Sequence, residues 1–167
     1  MEILKIIKEM ASAASRIYVL SWKAVYHDIV PEKYLDDLSL EHWTTFLQNF
    51  SYDGFVLKVD GQFVATPSIS PAGDESMCGW GEIISIYVLP EQACKGYGKV
   101  LLSFVVAELR SRGSSDIYLW VLGDNQQARN FYERSDFVFN GDKMTVNIGG
   151  KELIEVRYVY NVPALNK

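Results

Sequence analysis

Gly96 and Gly98, two residues without side chains, stand where they could do chemistry. Ahead of them Gly81–Leu89 is a largely apolar run closed by Pro90, which reads as a buried strand. Behind them Lys99–Arg112 carries Val100, Leu101, Phe104, Val105 and Leu109 at helical spacing. A glycine turn from strand into helix leaves backbone N–H groups uncovered at a helix N-terminus. That is a ready site for a phosphate or diphosphate. Gly96 and Gly98 let the chain approach such a group closely, the amides of Lys95, Tyr97 and Lys99 face it, and the two lysine side chains add charge. The turn therefore points to a nucleotide-tailed cofactor. A GxG is often only a turn, and the flanking strand and helix are what mark this one.

Other chemistries fit less well. Cys78 and Cys94 form no CxxC pair, and His27 and His42 have no second ligand at zinc spacing. No metal site is expected. No GxSxG elbow is present. A formal net charge of −5 argues against nucleic acid as the main partner. No run is long and apolar enough to cross a bilayer, and the N-terminus lacks a basic-then-apolar leader. Two free thiols in a reducing cytoplasm are the simplest reading.

The elements that must position the turn follow from pattern. The 167 residues suit a single domain, 1–167. Glu2–Ile7 reads as a strand or a helix start, Ser12–Tyr26 as an amphipathic helix, Pro31–Leu38 as a short one. Leu40–Phe50 reads as a third, with Trp43, Phe46 and Leu47 inward. Phe55–Val59 and Gln62–Ala65 flank Asp60-Gly61, a hairpin signal. Ser68–Gly79 is expected to be a mobile loop. Ile117–Leu122 is a buried parallel strand. Asn125 caps a helix running to Ser135 with Ala128, Phe131 and Tyr132 inward. Phe137–Asn140, Lys143–Ile148 and Lys151–Tyr160 complete the strands. The order of elements gives an α/β (α+β) sheet with helices on both faces.

With these residues in place, the chain resembles the GNAT superfamily of N-acetyltransferases over nearly its whole length. The strongest likeness runs from Glu82 through Gly98 into Leu101-Leu102. A second lies in Asn125, Ala128, Phe131, Tyr132 and Phe137, similar to the family's N-x-x-A-x-x-F-Y and following G-F step. A weaker one joins Ser21–Tyr26 to Pro31–Leu38, like the paired N-terminal helices bordering the acceptor site. Three positions depart from the family pattern: Ala93 replaces the usual Gln or Arg, Cys94 a common glycine, and Asp136 the glycine before Phe137. The backbone amides remain.

The resemblance implies a mostly antiparallel sheet with one splayed parallel strand pair, and acetyl-CoA as cosubstrate. Backbone groups near Tyr87 and Val88 would hold the pantetheine arm, with a backbone N–H as oxyanion donor. Asn125 would bond the same arm. Glu82 would be the general base, either raised by burial or working through water, since an ordinary carboxyl near pKa ~4.3 is far from an ammonium near ~10.4. By period-two alternation Glu82 is expected to share a face with Ile84 and Ile86. Tyr132 would be the general acid, its phenol near pKa ~10 still protonated at neutral pH. Trp22, Tyr26, His27, Trp43 and Tyr52 are candidates for the acceptor pocket, Trp22 and Tyr26 foremost. The expected activity is direct acetyl transfer, in a ternary complex, to a primary amine of a small molecule. Alternatives are a protein N-terminal or lysine acetyltransferase and a non-catalytic acyl-CoA-binding module. A homodimer could form through the C-terminal strands.

Overall fold

The computed structural model describes residues 1–49 and 52–161. Phe50, the expected end of the third helix, lies outside them. In chain order the elements are β1 (Glu2–Lys5), α1 (Ala11–Val25), α2 (Glu32–Asp36), α3 (Leu40–Gln48), β2 (Asp53–Val59), β3 (Gln62–Pro71), β4 (Gly81–Val88), α4 (Tyr97–Ser111), β5 (Asp116–Leu122), α5 (Gln126–Glu133), β6 (Val138–Ile148) and β7 (Lys151–Asn161). The strands form one sheet in the order β1-β2-β3-β4-β5-β7-β6. Every neighbouring pair is antiparallel except β4 beside β5.

Adjacent residues of a strand point to opposite faces, and β3 shows which helices each face carries. Ser68 meets the Tyr18 hydroxyl of α1 at 2.9 Å, while Ile69 joins the core under α4. That core packs Leu102, Val105 and Leu109 of α4 on Ile83, Ile117, Leu119, Val121, Val156 and Tyr158. Burying such side chains supplies roughly 1.5–3 kcal/mol each. Leu102, absent from the helical stripe read in the sequence, is thus a core residue.

The loop expected at Ser68–Gly79 starts only after Pro71, because β3 runs through two prolines. Proline normally breaks a central strand by removing a ladder donor. In the register fixed by Gly54↔Ser68 and Leu57↔Ala65, Phe55 falls opposite Pro67. The Thr66 hydroxyl donates to the Phe55 carbonyl at 2.7 Å and replaces the missing N–H. Strand pairing therefore survives where composition argued for a loop.

A second departure lies in β4. Ser68 pairs with Ser85 but Ile69 with Ile83, so Ile84 is an extra residue, a β-bulge. Beyond it the alternation inverts. Ile86 turns to the α4 side with Ile83, not to the side of Glu82. Glu82 instead shares its face with Ser85, which bonds the Tyr18 hydroxyl at 2.8 Å, and with Tyr87, whose ring meets Tyr18 edge-on. The two short C-terminal strands merge into β6, which carries an irregularity between Phe139 and Lys143.

Candidate active site

The expected glycine turn caps α4. Gly96 is the N-cap with φ 82°, a left-handed conformation, and no side chain caps this helix end. Cys94 is also left-handed, with φ 62°. That marks the position as one where glycine fits better. The first intrahelical bond runs from Val100 N–H to the Gly96 carbonyl. The amides of Tyr97, Gly98 and Lys99 precede it, and a helix of this kind has no internal acceptors for them. Tyr97 gives the turn only its backbone, because its ring packs on the cluster of Leu57, Val64, Ala65 and Leu101. Lys95 is exposed and donates to Gln92 at 2.9 Å; Lys99 is exposed.

The turn opens onto a seam in the sheet. β4 and β5 pair only at Gly81↔Ile117, Glu82↔Tyr118 and Ile83↔Leu119, then separate. Leu89 N–H donates to Val64 O, so Leu89 and Tyr87 direct their backbone groups toward β3. Ile86 and Val88 direct theirs into the seam, with no β5 residue opposite either. Of the two backbones expected to hold a pantetheine arm, Val88 is thus the available one. Its carbonyl accepts a 3.0 Å hydrogen bond from Ser21 of α1.

Polar side chains gather around the seam from four elements. Asn125 is buried and accepts from Ala128 N–H at 3.0 Å, capping α5. Tyr132, two turns on, packs its ring against Phe131 and Phe137. Its hydroxyl bonds no described residue. Burial, and then the nearby Tyr26, hold its phenol well above the ordinary tyrosine range. Tyr26 is itself raised by burial, partly offset by Tyr87 and Asn125 and reinforced by Glu155. Trp22 meets Tyr26 edge-on at 4.8 Å, and its buried Nε1 has no partner among the described residues.

Glu82 lies at the closed end of the seam, where the Tyr118 hydroxyl donates to its Oε2 at 2.7 Å. The Arg157 guanidinium lies over the rings of Tyr118 and Trp120, 5.8 and 5.3 Å from their centroids. It also bonds Asp74 and Asp142, which ties the segment after β3 down beside Glu82. Hydrogen bonds from Ser76, then from Arg157, hold the Asp74 carboxyl below its usual range.

This arrangement offers amides for a diphosphate, an open strand edge for a linear arm, a buried phenol in Tyr132, and a carboxylate in Glu82. Residues 16–137 match a family model described as the acetyltransferase (GNAT) family. The chain belongs to the GNAT acetyltransferases. A curated relative, the uncharacterized N-acetyltransferase YuaI of Bacillus subtilis, is 30% identical over 113 residues, covering 66% of this chain and 65% of the relative. The chain thus spans just under two thirds of that relative's length. Among solved structures, the ribosomal-protein-alanine N-acetyltransferase of Brucella melitensis superposes with a TM-score of 0.76 at 21% identity, covering 97% of this chain and 100% of the other. The structure of yncA from Salmonella typhimurium with its cofactor acetyl-CoA gives 0.72 at 20% identity, covering 100% and 96%. Both likenesses concern the fold.

In this GNAT acetyltransferase the expected aromatic group divides. Tyr26 lies beside Tyr87 and Asn125, and Trp22 packs on Tyr26. Trp43 stacks behind them on Tyr18 at 5.1 Å. His27 is exposed and faces Asp28, and Tyr52 lines a separate hollow with Lys5 and Ile7. Three residues near the seam were not singled out in the sequence: Tyr118, Arg157 and Glu155. Glu155 is half-buried opposite Leu122, and burial, then Glu82, push its carboxyl above the usual range. A charged residue alternating with Leu153 on a core-facing strand was the available signal. No group of three or more His, Cys, Asp or Glu among the described residues could hold a metal ion, and no described helix is long and apolar enough to cross a membrane.

Proposed function

We propose that the chain transfers the acetyl group of acetyl-CoA to a primary amine of a small molecule, by direct attack in a ternary complex. The observation that carries this reading is the seam: β4 leaves β5 after Ile83, with the α4 amides at its mouth and the bare Tyr132 hydroxyl beside it.

In this reading the amides of Lys95–Lys99 and the α4 dipole hold the diphosphate. Val88 backbone and Asn125 bond the arm, and the Val88 N–H stabilises the developing oxyanion. A preorganised donor of this sort contributes about 3 kcal/mol. Glu82, directly or through a water, takes the ammonium proton; the amine nitrogen attacks the thioester carbon, its second proton passes to solvent, and the C–S bond breaks to leave the amide. Tyr132 gives its proton to the departing thiolate and recovers one from solvent. Trp22 and Tyr26 line the acceptor side.

A small acceptor is favoured by a contact beside Trp22 and Tyr26. Lys151 Nζ donates to Ile29 O at 2.8 Å, Tyr34 lies against Gly149, and Val30 and Leu35 pack with Leu122 and Leu153. The segment joining α1 to α2 is thereby fastened onto the β6–β7 hairpin, which narrows the room for an extended peptide. The exposed free thiols Cys78 and Cys94 suit a cytoplasmic setting.

The test is a panel of small amines and short peptides with acetyl-CoA, following free thiol, beside calorimetric titration with coenzyme A. Turnover with small amines is expected. Preference for peptides would favour a protein acetyltransferase, and binding without transfer a non-catalytic module. Absence of coenzyme A binding to folded protein would end the reading.

A further inference from the structure

Tyr118 is a titratable side chain that the mechanism above leaves unused. It is 1% exposed, fixed in β5 directly opposite Glu82, and its hydroxyl donates to Glu82 Oε2 at 2.7 Å. The same oxygen faces the segment after β3: a methyl group placed on Gly73 would stand 3.7 Å from it. No described residue bonds Oε1. We propose that Tyr118 is the positioning residue for Glu82, fixing Oε2 against the segment after β3 so that Oε1 is the oxygen that receives the proton from the seam. This rests on Glu82 acting as the base.

Two further features support the assignment. The ring of Tyr118 is clamped beneath the Arg157 guanidinium, whose other bonds reach Asp74 and Asp142, so the phenol has little freedom to turn away. Burial, and then the adjacent carboxylate, push the Tyr118 phenol far above its ordinary range. It stays a donor at any working pH.

Tyr118→Phe keeps the ring and removes the hydroxyl, with its donation to Glu82 and the backbone contacts it accepts from Gly73 and Asp74. The acid limb of the kcat/KM profile is expected to shift, with little change above neutrality. The carboxyl carbon of Glu82, followed by NMR against pH, should move by a similar amount without reference to turnover. As a second route, Glu82→Asp withdraws the carboxylate from Tyr118, so adding Tyr118→Phe to it should cost nothing more. An unmoved carboxyl signal in folded Tyr118→Phe overturns the positioning role. A moved signal with an unmoved rate profile removes Glu82 as the base instead, and with it the catalytic meaning of the contact; additive losses in the double variant also count against it.

Discussion

Ser21 of α1 donates a 3.0 Å hydrogen bond to the carbonyl of Val88, the residue whose backbone opens into the seam. Ser21 is buried, so nothing else fills its place. The contact joins the helix that borders the acceptor side to the strand edge proposed to hold the cosubstrate. Ser21→Ala should cost about 1 kcal/mol of stability. It should also raise the KM for acetyl-CoA by up to about fivefold, the equivalent of the same energy, while the pH profile keeps its shape. Steady-state kinetics at several pH values, with a thermal melt, check both.

Tyr132→Phe tests the acid. A positioned general acid contributes about 10²–10⁴-fold, so kcat should fall at least about a hundredfold with coenzyme A affinity little changed. Because burial raises the phenol above the ordinary tyrosine value of 10.0, it remains protonated through that pH. The parent enzyme should therefore show no loss of rate from this group below pH ~10. Unchanged turnover in the variant would remove Tyr132 from the mechanism.

The turn before α4 gives a contrast between conformation and space. At Gly96 a Cβ meets nothing within 4 Å, yet φ is +82°. Gly96→Ala should cost about 1 kcal/mol, or ~2–4 °C in Tm, from backbone strain alone. At Gly98 a Cβ would touch Phe131 at an ordinary 3.5 Å, so Gly98→Ala should fold at least as well as the parent. Cys94→Gly relieves a left-handed residue and should raise Tm by a degree or more. A melt of each variant decides, and a stable Gly96→Ala would show that the turn tolerates a side chain.

Glu155 supplies a pH dependence. Its carboxyl is raised in the folded protein by burial and then by Glu82, so the folded state binds its proton more tightly than the unfolded chain. The penalty is absent at acid pH, grows as pH rises from the ordinary carboxyl value of 4.5 through the folded value, and is constant above it. Glu155→Gln should thus raise Tm by a few degrees at neutral pH and by nothing below pH ~4. An equal rise at both pH values would show that charge is not the cause.

Local order was the part of the molecule that could be read from residues. Asp60-Gly61 announced the hairpin, and both residues take the positive φ that its tight turn requires. Asn125 announced its cap, and the apolar stripe of α4 its core. What escaped depended on partners distant in the chain. Residues 68–71 looked like the start of a loop because the pairing that keeps β3 going past Pro67 comes from Thr66 acting on the facing strand. Ile86 was assigned to the wrong face because a bulge is defined by the neighbouring strand's count, which alternation within β4 does not contain. Tyr118 and Glu155 could be assigned to strands. Their meeting with Glu82 required the sheet order, with β7 inserted between β5 and β6.

The extra residue at Ile84 has an evolutionary corollary. Substitutions along β4 alter one side chain at a time, but losing Ile84 would rotate every position from Ser85 to Val88 by half a turn. Ser85 and Tyr87 would enter the aliphatic layer, and Ile86 would be thrust among hydroxyls. Drift by point replacement is therefore open to this strand, whereas a single-codon deletion is closed to it. The spacing between Glu82 and Val88 should be inherited more strictly than the identity of the residues within it.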